Sequence, residues 1–125
     1  MEKKQKSPSF SIHYKIWLES STGEGIMGDG KWLMLETIDR KGSLSAAANE
    51  LGISYRKAWG DIKKAELLLG AELIQKHRGG ASGGTSTLTE YGKKWLVLYK
   101  DFHKKMDLVF NKEVEKFTTT IRNFK

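Results

Sequence analysis

The sequence predicts a mainly α-helical domain with a small β component. Three observations carry that expectation. Residues 30–69 hold three runs of apolar residues at helical spacing, each closed by a glycine. A glycine-rich stretch at 79–84 lies between two short segments of extended character. A long final run keeps apolar residues on one stripe from Tyr91 to Phe110. Apolar side chains that recur every three or four positions share one helix face, and glycine is the residue that most readily closes a helix.

Composition bounds what such a domain can be. The chain has 125 residues, of which 38% are hydrophobic, including four Trp, four Tyr and five Phe. That is enough apolar material for one folded core. There is no cysteine, so disulfides and thiolate metal sites are excluded. No secretory leader follows the charged start, and no run approaches the ~20 apolar residues of a membrane span. The expectation is a cytoplasmic protein with no membrane partner. The net charge of +7 and a pI near 9.6 favour polyanions, nucleic acid first. The charge is also uneven. Over residues 16–53, three cations face six carboxylates, whereas over 54–78 six cations face three.

Taken in order, Met1–Ser9 reads as a flexible basic arm containing the only proline, Pro8. Phe10–Leu18 alternates, with Phe10, Ile12, Tyr14, Ile16 and Leu18 on one face, which predicts a strand. Ile26–Met27 then forms a return strand, making a hairpin. Trp17 falls on the polar face of the first strand, where it requires a neighbour: the wing, a dimer interface or a partner. Asp29 is the expected N-cap of a helix over 30–41, with Trp32, Leu35 and Ile38 on one face and Gly42 as its stop. Ser43 caps a second helix to Leu51. Gly52 closes it, Ile53 plugs the turn, and Ser54 caps a third helix to Leu69. On that helix Ala58, Ile62, Ala65 and Leu69 make the buried stripe, with Trp59 counted as core beside it. Glu72–His77 reads as a short strand and 78–87 as a hairpin loop. Thr89 caps the final helix, whose main body ends near Asn111 with a frayed extension behind it. Its apolar positions Tyr91, Trp95, Leu98, Phe102, Val109 and Phe110 run beyond a small domain. Such a stripe needs a partner helix, most simply from a second copy, so these six are the candidate dimerisation residues.

The second and third helices form a helix-turn-helix, and the hairpin after them makes a wing. A helix fits the major groove with its N-terminal residues reaching base edges. Here that end carries Ser54, Tyr55, Arg56 and Lys57. Arg56 can offer a bidentate fork to guanine, while Lys57, Lys63 and Lys64 suit phosphates. Gly60 lies off the buried stripe with them. The wing offers Lys76, His77 and Arg78 at its entry. Ser43 and Ser45, at the start of the second helix, join the candidate DNA-binding set.

Here a resemblance becomes specific. The stretch Ser43-Leu-Ser-Ala-Ala-Ala-Asn-Glu-Leu-Gly-Ile-Ser54, continuing to Leu88-Thr-Glu-Tyr-Gly92, resembles the winged helices of the LysR and ModE families, with ModE, the molybdate-responsive regulators, the nearer match. Ile53-Ser-Tyr-Arg-Lys-Ala-Trp59 is similar to their recognition helix, and Gly79-Gly80-Ala-Ser-Gly83-Gly84 to their wing. The likeness spans roughly residues 10–110. It implies a winged helix-turn-helix with an N-terminal hairpin over 10–88 and a long dimerisation helix and tail over 89–125. It implies a homodimer on double-stranded DNA, with half-sites about one helical turn apart, roughly 34–36 Å. It also implies that the wing from Arg78 to Ser86, including Ser82, Thr85 and Ser86, faces DNA. ModE regulators carry C-terminal oxyanion-binding domains after the long helix. The 125 residues end near the close of that helix, so no cofactor and no direct molybdate sensing are expected of them.

Other functions find little support. His13, His77 and His103 lack ligand spacing, so no metal site is expected. The carboxylates have no setting for acid–base catalysis, and 79–84 lacks the Lys-Ser/Thr ending of a phosphate loop. The chain is expected to be a sequence-specific, non-enzymatic transcriptional regulator. The alternatives are a winged helix that binds protein, and an architectural DNA binder without sequence choice.

Overall fold

A computed structural model describes residues 9–77 and 84–124. The basic arm before Ser9, and Arg78, Ser82 and the first glycines of the wing, lie outside the described residues. The elements run β1 (Trp17–Glu19), β2 (Gly25–Gly28), α1 (Asp29–Lys41), α2 (Leu44–Leu51), α3 (Tyr55–Leu69), β3 (Ile74–His77), β4 (Thr85–Leu88) and α4 (Glu90–Arg122). The strands pair antiparallel as two separate hairpins, β1 with β2 and β3 with β4. This is a mostly helical, winged-helix arrangement with a long C-terminal helix.

Local chemistry explains most of these boundaries. The Ser43 Oγ accepts from Ala46 N at 2.9 Å, Ser54 Oγ from Lys57 N at 3.0 Å, and Thr89 Oγ1 from Gly92 N at 2.9 Å. Each satisfies an orphan amide of a first helical turn, worth about 1 kcal/mol. Between α2 and α3, Gly52 sits at φ 71°, ψ 28°. That left-handed geometry lets Ile53 N return to Ala48 O at 3.0 Å and turns the chain into α3. Gly42 and Gly70 close α1 and α3 in the same conformation.

The core is the meeting of these elements. Leu35 and Ile38 of α1, Ala47 of α2, Ala58, Ile62 and Ala65 of α3, and Leu73 are fully buried. Each large aliphatic so removed from water contributes about 1.5–3 kcal/mol. Trp32, Trp59, Tyr91 and Trp95 pack partly buried around them. The wing is fastened at its base. Ser86 N donates to Gly42 O at 2.9 Å, and Leu44 N donates to the buried Ser86 Oγ at 3.3 Å. On the other side, the Glu66 carboxylate is buried and its Oε2 accepts from Leu73 N and Ile74 N at 2.7 and 3.2 Å. Glu66 thus ties the end of α3 to the start of the wing, using charge-assisted bonds that are worth more than neutral ones.

Four expectations change. The strand expected over Phe10–Leu18 has a ladder only at Trp17–Glu19. The alternation is nonetheless real: Ile12, Tyr14, Ile16 and Leu18 are half-buried and their neighbours exposed. The segment runs extended along the body with side-chain anchors in place of a neighbouring strand. Tyr14 OH donates to Asp107 of α4, and its ring stacks 4.1 Å from that of Phe110. Tyr99 OH lies 3.1 Å from Ile16 O and 3.0 Å from Asp29 Oδ1, donating between them. These contacts stabilise the neutral phenols. The hydrogen bond to Asp107 pushes the Tyr14 hydroxyl up to about 12, and burial followed by the Asp29 bond does the same for Tyr99. Second, Asp29 is not the N-cap. Gly28 holds that position, and Asp29 is the first residue of α1, its carboxylate turned to Tyr99 and not to the backbone. Third, the strand expected from Glu72 begins at Ile74, after the amides held by Glu66. Fourth, α4 does not end near Asn111. It continues unbroken to Arg122, 33 residues in all, or about 50 Å.

Candidate nucleic-acid interface

The N-terminal turn of α3 stands at the surface. Ser54, Tyr55, Arg56 and Lys57 are all exposed. The Ser54 hydroxyl is engaged as the cap, so its remaining capacity is what faces outward. Lys57 Nζ pairs with Asp61 at 3.1 Å, one turn on. Lys63 pairs with Glu66 at 2.9 Å, and Lys64 with Glu24 at 3.7 Å. Arg56 joins no ion pair among the described residues. The pairs of Lys57 and Lys64 are exposed and worth about 0–1 kcal/mol, so a phosphate can replace their carboxylates, whereas the Glu66 partner of Lys63 is buried. The free guanidinium is the cation with nothing to give up.

The wing root meets α3 through aromatic contacts. Lys76 Nζ on β3 donates to Tyr55 OH and lies 5.1 Å from the Tyr55 ring centroid. It also lies 4.4 Å from the Trp59 centroid, and Lys63 Nζ lies 4.4 Å from the same ring. Trp59 is therefore more than core: it is half-buried, with its ring holding two ammonium groups. Sequence spacing placed it beside the buried stripe but could not show Lys76 arriving from β3. Beyond it, His77 Nε2 is hydrogen-bonded to Thr87 Oγ1 at 2.9 Å across the hairpin.

The remaining candidates separate by exposure. Ser45 and Gly60 are exposed, and Thr85 is exposed opposite His77 in the ladder. Ser43 is half-buried with its hydroxyl committed to the α2 cap. Ser86 is a correction: it is 2% exposed, and its hydroxyl accepts from Leu44 N inside the fold and is not presented at the surface. Arg78 and Ser82 fall outside the described residues.

The expected dimerisation set is redrawn in the same way. Tyr91 and Trp95 turn inward and pack on their own core, and Phe110 lies under Tyr14. Leu98, Phe102 and Val109 are exposed, and Val97, Leu108, Phe117 and Phe124 join them. The sequence reading stopped short of the last two because it expected fraying there. Among the described residues no group of three or more His, Asp or Glu is arranged to hold a metal ion, and no helix is long and apolar enough to cross a membrane.

Known proteins share this region. The family described as bacterial regulatory helix-turn-helix protein, lysR family, matches residues 31–93, half of the chain. The molybdenum-pterin-binding protein MopB of Rhodobacter capsulatus is 40% identical over 73 residues, which are 58% of this chain and 27% of that protein. The molybdenum transport protein ModE of Azotobacter vinelandii is 32% identical over 86 residues, 69% of this chain and 32% of its own length. The DNA-binding transcriptional dual regulator ModE of Escherichia coli is 38% identical over 66 residues, 53% and 25% of the two chains. The chain thus spans 25–32% of the length of these relatives. Among solved structures, Streptococcus pneumoniae FabT in complex with DNA aligns with a TM-score of 0.50 and 17% identity, covering 79% of this chain and 78% of that one. At that identity the likeness is one of fold.

Proposed function

Because the chain belongs to the lysR family of bacterial regulatory helix-turn-helix proteins, we propose that it acts as a dimeric regulator that reads duplex DNA by sequence. In this reading the first turn of α3 enters the major groove and Arg56 reads a base edge, most favourably a guanine. Lys57, Lys64 and Ser45 hold phosphates, with Thr85 on the wing side. The chain does no covalent chemistry in this role. The observation that carries the reading is Arg56 itself: an exposed guanidinium at the open end of a capped helix, among lysines that are otherwise paired.

Dimerisation supports sequence reading by doubling the site. The exposed apolar residues Leu98, Phe102, Val109 and Phe117 of α4 fall within an arc of about 100° on one side of the helix. A second copy of the helix is the simplest partner for such a stripe.

Selection from a randomised duplex library at near-physiological salt tests the reading. The expected result is an enriched palindrome with half-sites about one helical turn apart. Retention without enrichment points to an architectural binder, and failure to retain DNA overturns the reading.

A further inference from the structure

We propose that the groove between α3 and β3 receives a phosphodiester of the DNA backbone, and that Trp59 is the positioning residue for its cations. The inference rests on the DNA-binding reading and deepens it.

Tyr55, Trp59 and Lys63 recur every four residues along α3, on the face toward β3. From β3, Lys76 reaches back onto both rings. The two ammonium groups of Lys63 and Lys76 each lie 4.4 Å from one indole centroid. Lys63 is also paired with Glu66, but Lys76 joins no ion pair among the described residues, so an anion in the groove meets an ammonium with no carboxylate to displace. Trp59, Lys63, Gln75, Lys76 and His77 line a groove of about 360 Å³, with Glu72 as the one carboxylate on its wall. That volume admits a phosphate group.

The choice of an aromatic partner is informative. A carboxylate beside Lys76 would fix its position but neutralise it, and an incoming phosphate would have to displace it. An indole face attracts an ammonium through its quadrupole and leaves the full positive charge in place. Trp59 therefore limits the rotamers of two flexible side chains and leaves the Lys76 charge unneutralised, whereas Lys63 is held by Glu66 as well as by the ring. The ligand must be anionic and strand-like. The groove opens between the recognition helix and the wing root, where a duplex seated on α3 carries its sugar–phosphate strand. The ammonium of Lys76 is a point charge suited to a phosphate oxygen and not to a bidentate base contact.

The test measures affinity for a random-sequence duplex as a function of salt, for the wild type, Lys63→Gln, Lys76→Gln, Trp59→Phe and Trp59→Leu, with thermal unfolding followed in parallel. Each lost phosphate contact lowers the log–log salt slope by about 0.9. Lys76→Gln should lower the slope by about one contact, and Trp59→Leu by at least as much. Trp59→Phe should keep most of the slope. Adding Lys76→Gln to Trp59→Leu should change little, because the lysine has already lost its platform. A Trp59→Leu protein that is folded and keeps the wild-type slope overturns the positioning role. Should Trp59→Leu fail to fold, unchanged slopes in both lysine variants overturn the phosphate site. A wild type that binds no duplex at all overturns the DNA reading itself, whereas a salt-sensitive wild type with silent variants overturns only this inference.

Discussion

At the scale of single residues, function is divided between side chains that are free and side chains that are committed. Ser54, Ser43 and Thr89 spend their hydroxyls on helix caps. All three could be read from sequence, because a cap depends on residues three positions apart. Glu66 and Ser86 could not, since their partners lie 7 and 42 residues away and meet them only when the fold closes. Trp59 was legible as apolar but not as a cation platform, for the same reason. Arg56 is the reverse case: its position at an open helix end is written in the sequence, and it joins no ion pair among the described residues. Replacing Arg56 with Ala is expected to cost about 1–3 kcal/mol on the selected site and to relax the preference at one base pair. Competition binding against single-base variants of that site measures both effects. Equal losses on all sequences would assign Arg56 to a phosphate instead.

At the scale of elements, close approach decides what is tolerated. A Cβ on Gly92, in the first turn of α4, would lie 2.1 Å from the carbonyl oxygen of Leu73. Ala would gain about 1 kcal/mol of helix propensity. Against this, the clash is with backbone and needs the α3–β3 connection to move, an overpacking cost of about 1–3 kcal/mol or more. Chemical denaturation of Gly92→Ala should show a net loss of stability, and unchanged stability would mean the helix start can shift freely. The N-terminal segment illustrates what periodicity can and cannot tell. Its alternation marked the half-buried face over 12–18, though Phe10 is exposed, but alternation says nothing of whether a strand lies alongside, and here tyrosine hydroxyls take that place. This gives the segment a pH dependence. Tyr14 and Tyr99 have folded values raised from 10.0 to about 12, so their contribution is complete below the unfolded value and disappears as pH rises through the folded one. Asp107 is shifted the other way, held low first by its bond from Tyr14, so its share is lost only in acid. Thermal stability is expected to fall between about pH 10 and 12 in the wild type. The Tyr14→Phe, Tyr99→Phe double variant should lose less over the same interval.

At the scale of the whole molecule, the fold class was plain in the sequence. Three capped helices in succession, a glycine-rich hairpin and a long stripe admit few other arrangements. What the sequence obscured was the partition of that stripe. Tyr91 and Trp95 serve the domain's own core, whereas Phe102, Val109 and Phe117 face outward, and spacing alone assigns all of them to one surface. Replacing Phe102 and Val109 together with Asp should leave the domain folded and shift sedimentation to the monomer. DNA affinity should then fall steeply with protein dilution, because each head binds alone. Sedimentation that is unaltered would exclude α4 as the dimer contact.

The contact between Gly92 and Leu73 also sets a rotational phase. α4 is packed against Leu73, just before β3, at its first turn and runs without a break to Arg122, so its helical phase is continuous from the domain to its far end. Each residue turns a helix by about 100°. A single Ala inserted after Tyr99 would swing everything beyond it by that angle, taking Asp107 and Phe110 away from Tyr14 but leaving α3 and the wing in place. The two heads of a dimer would then point at different faces of the duplex, a defect visible as a changed half-site spacing in selected sequences. Seven inserted residues, close to two full turns, would bring the faces back into register while setting the heads farther from the pairing surface. In the proposed dimer the helix would fix which DNA spacings are accepted, through residues that never approach the DNA.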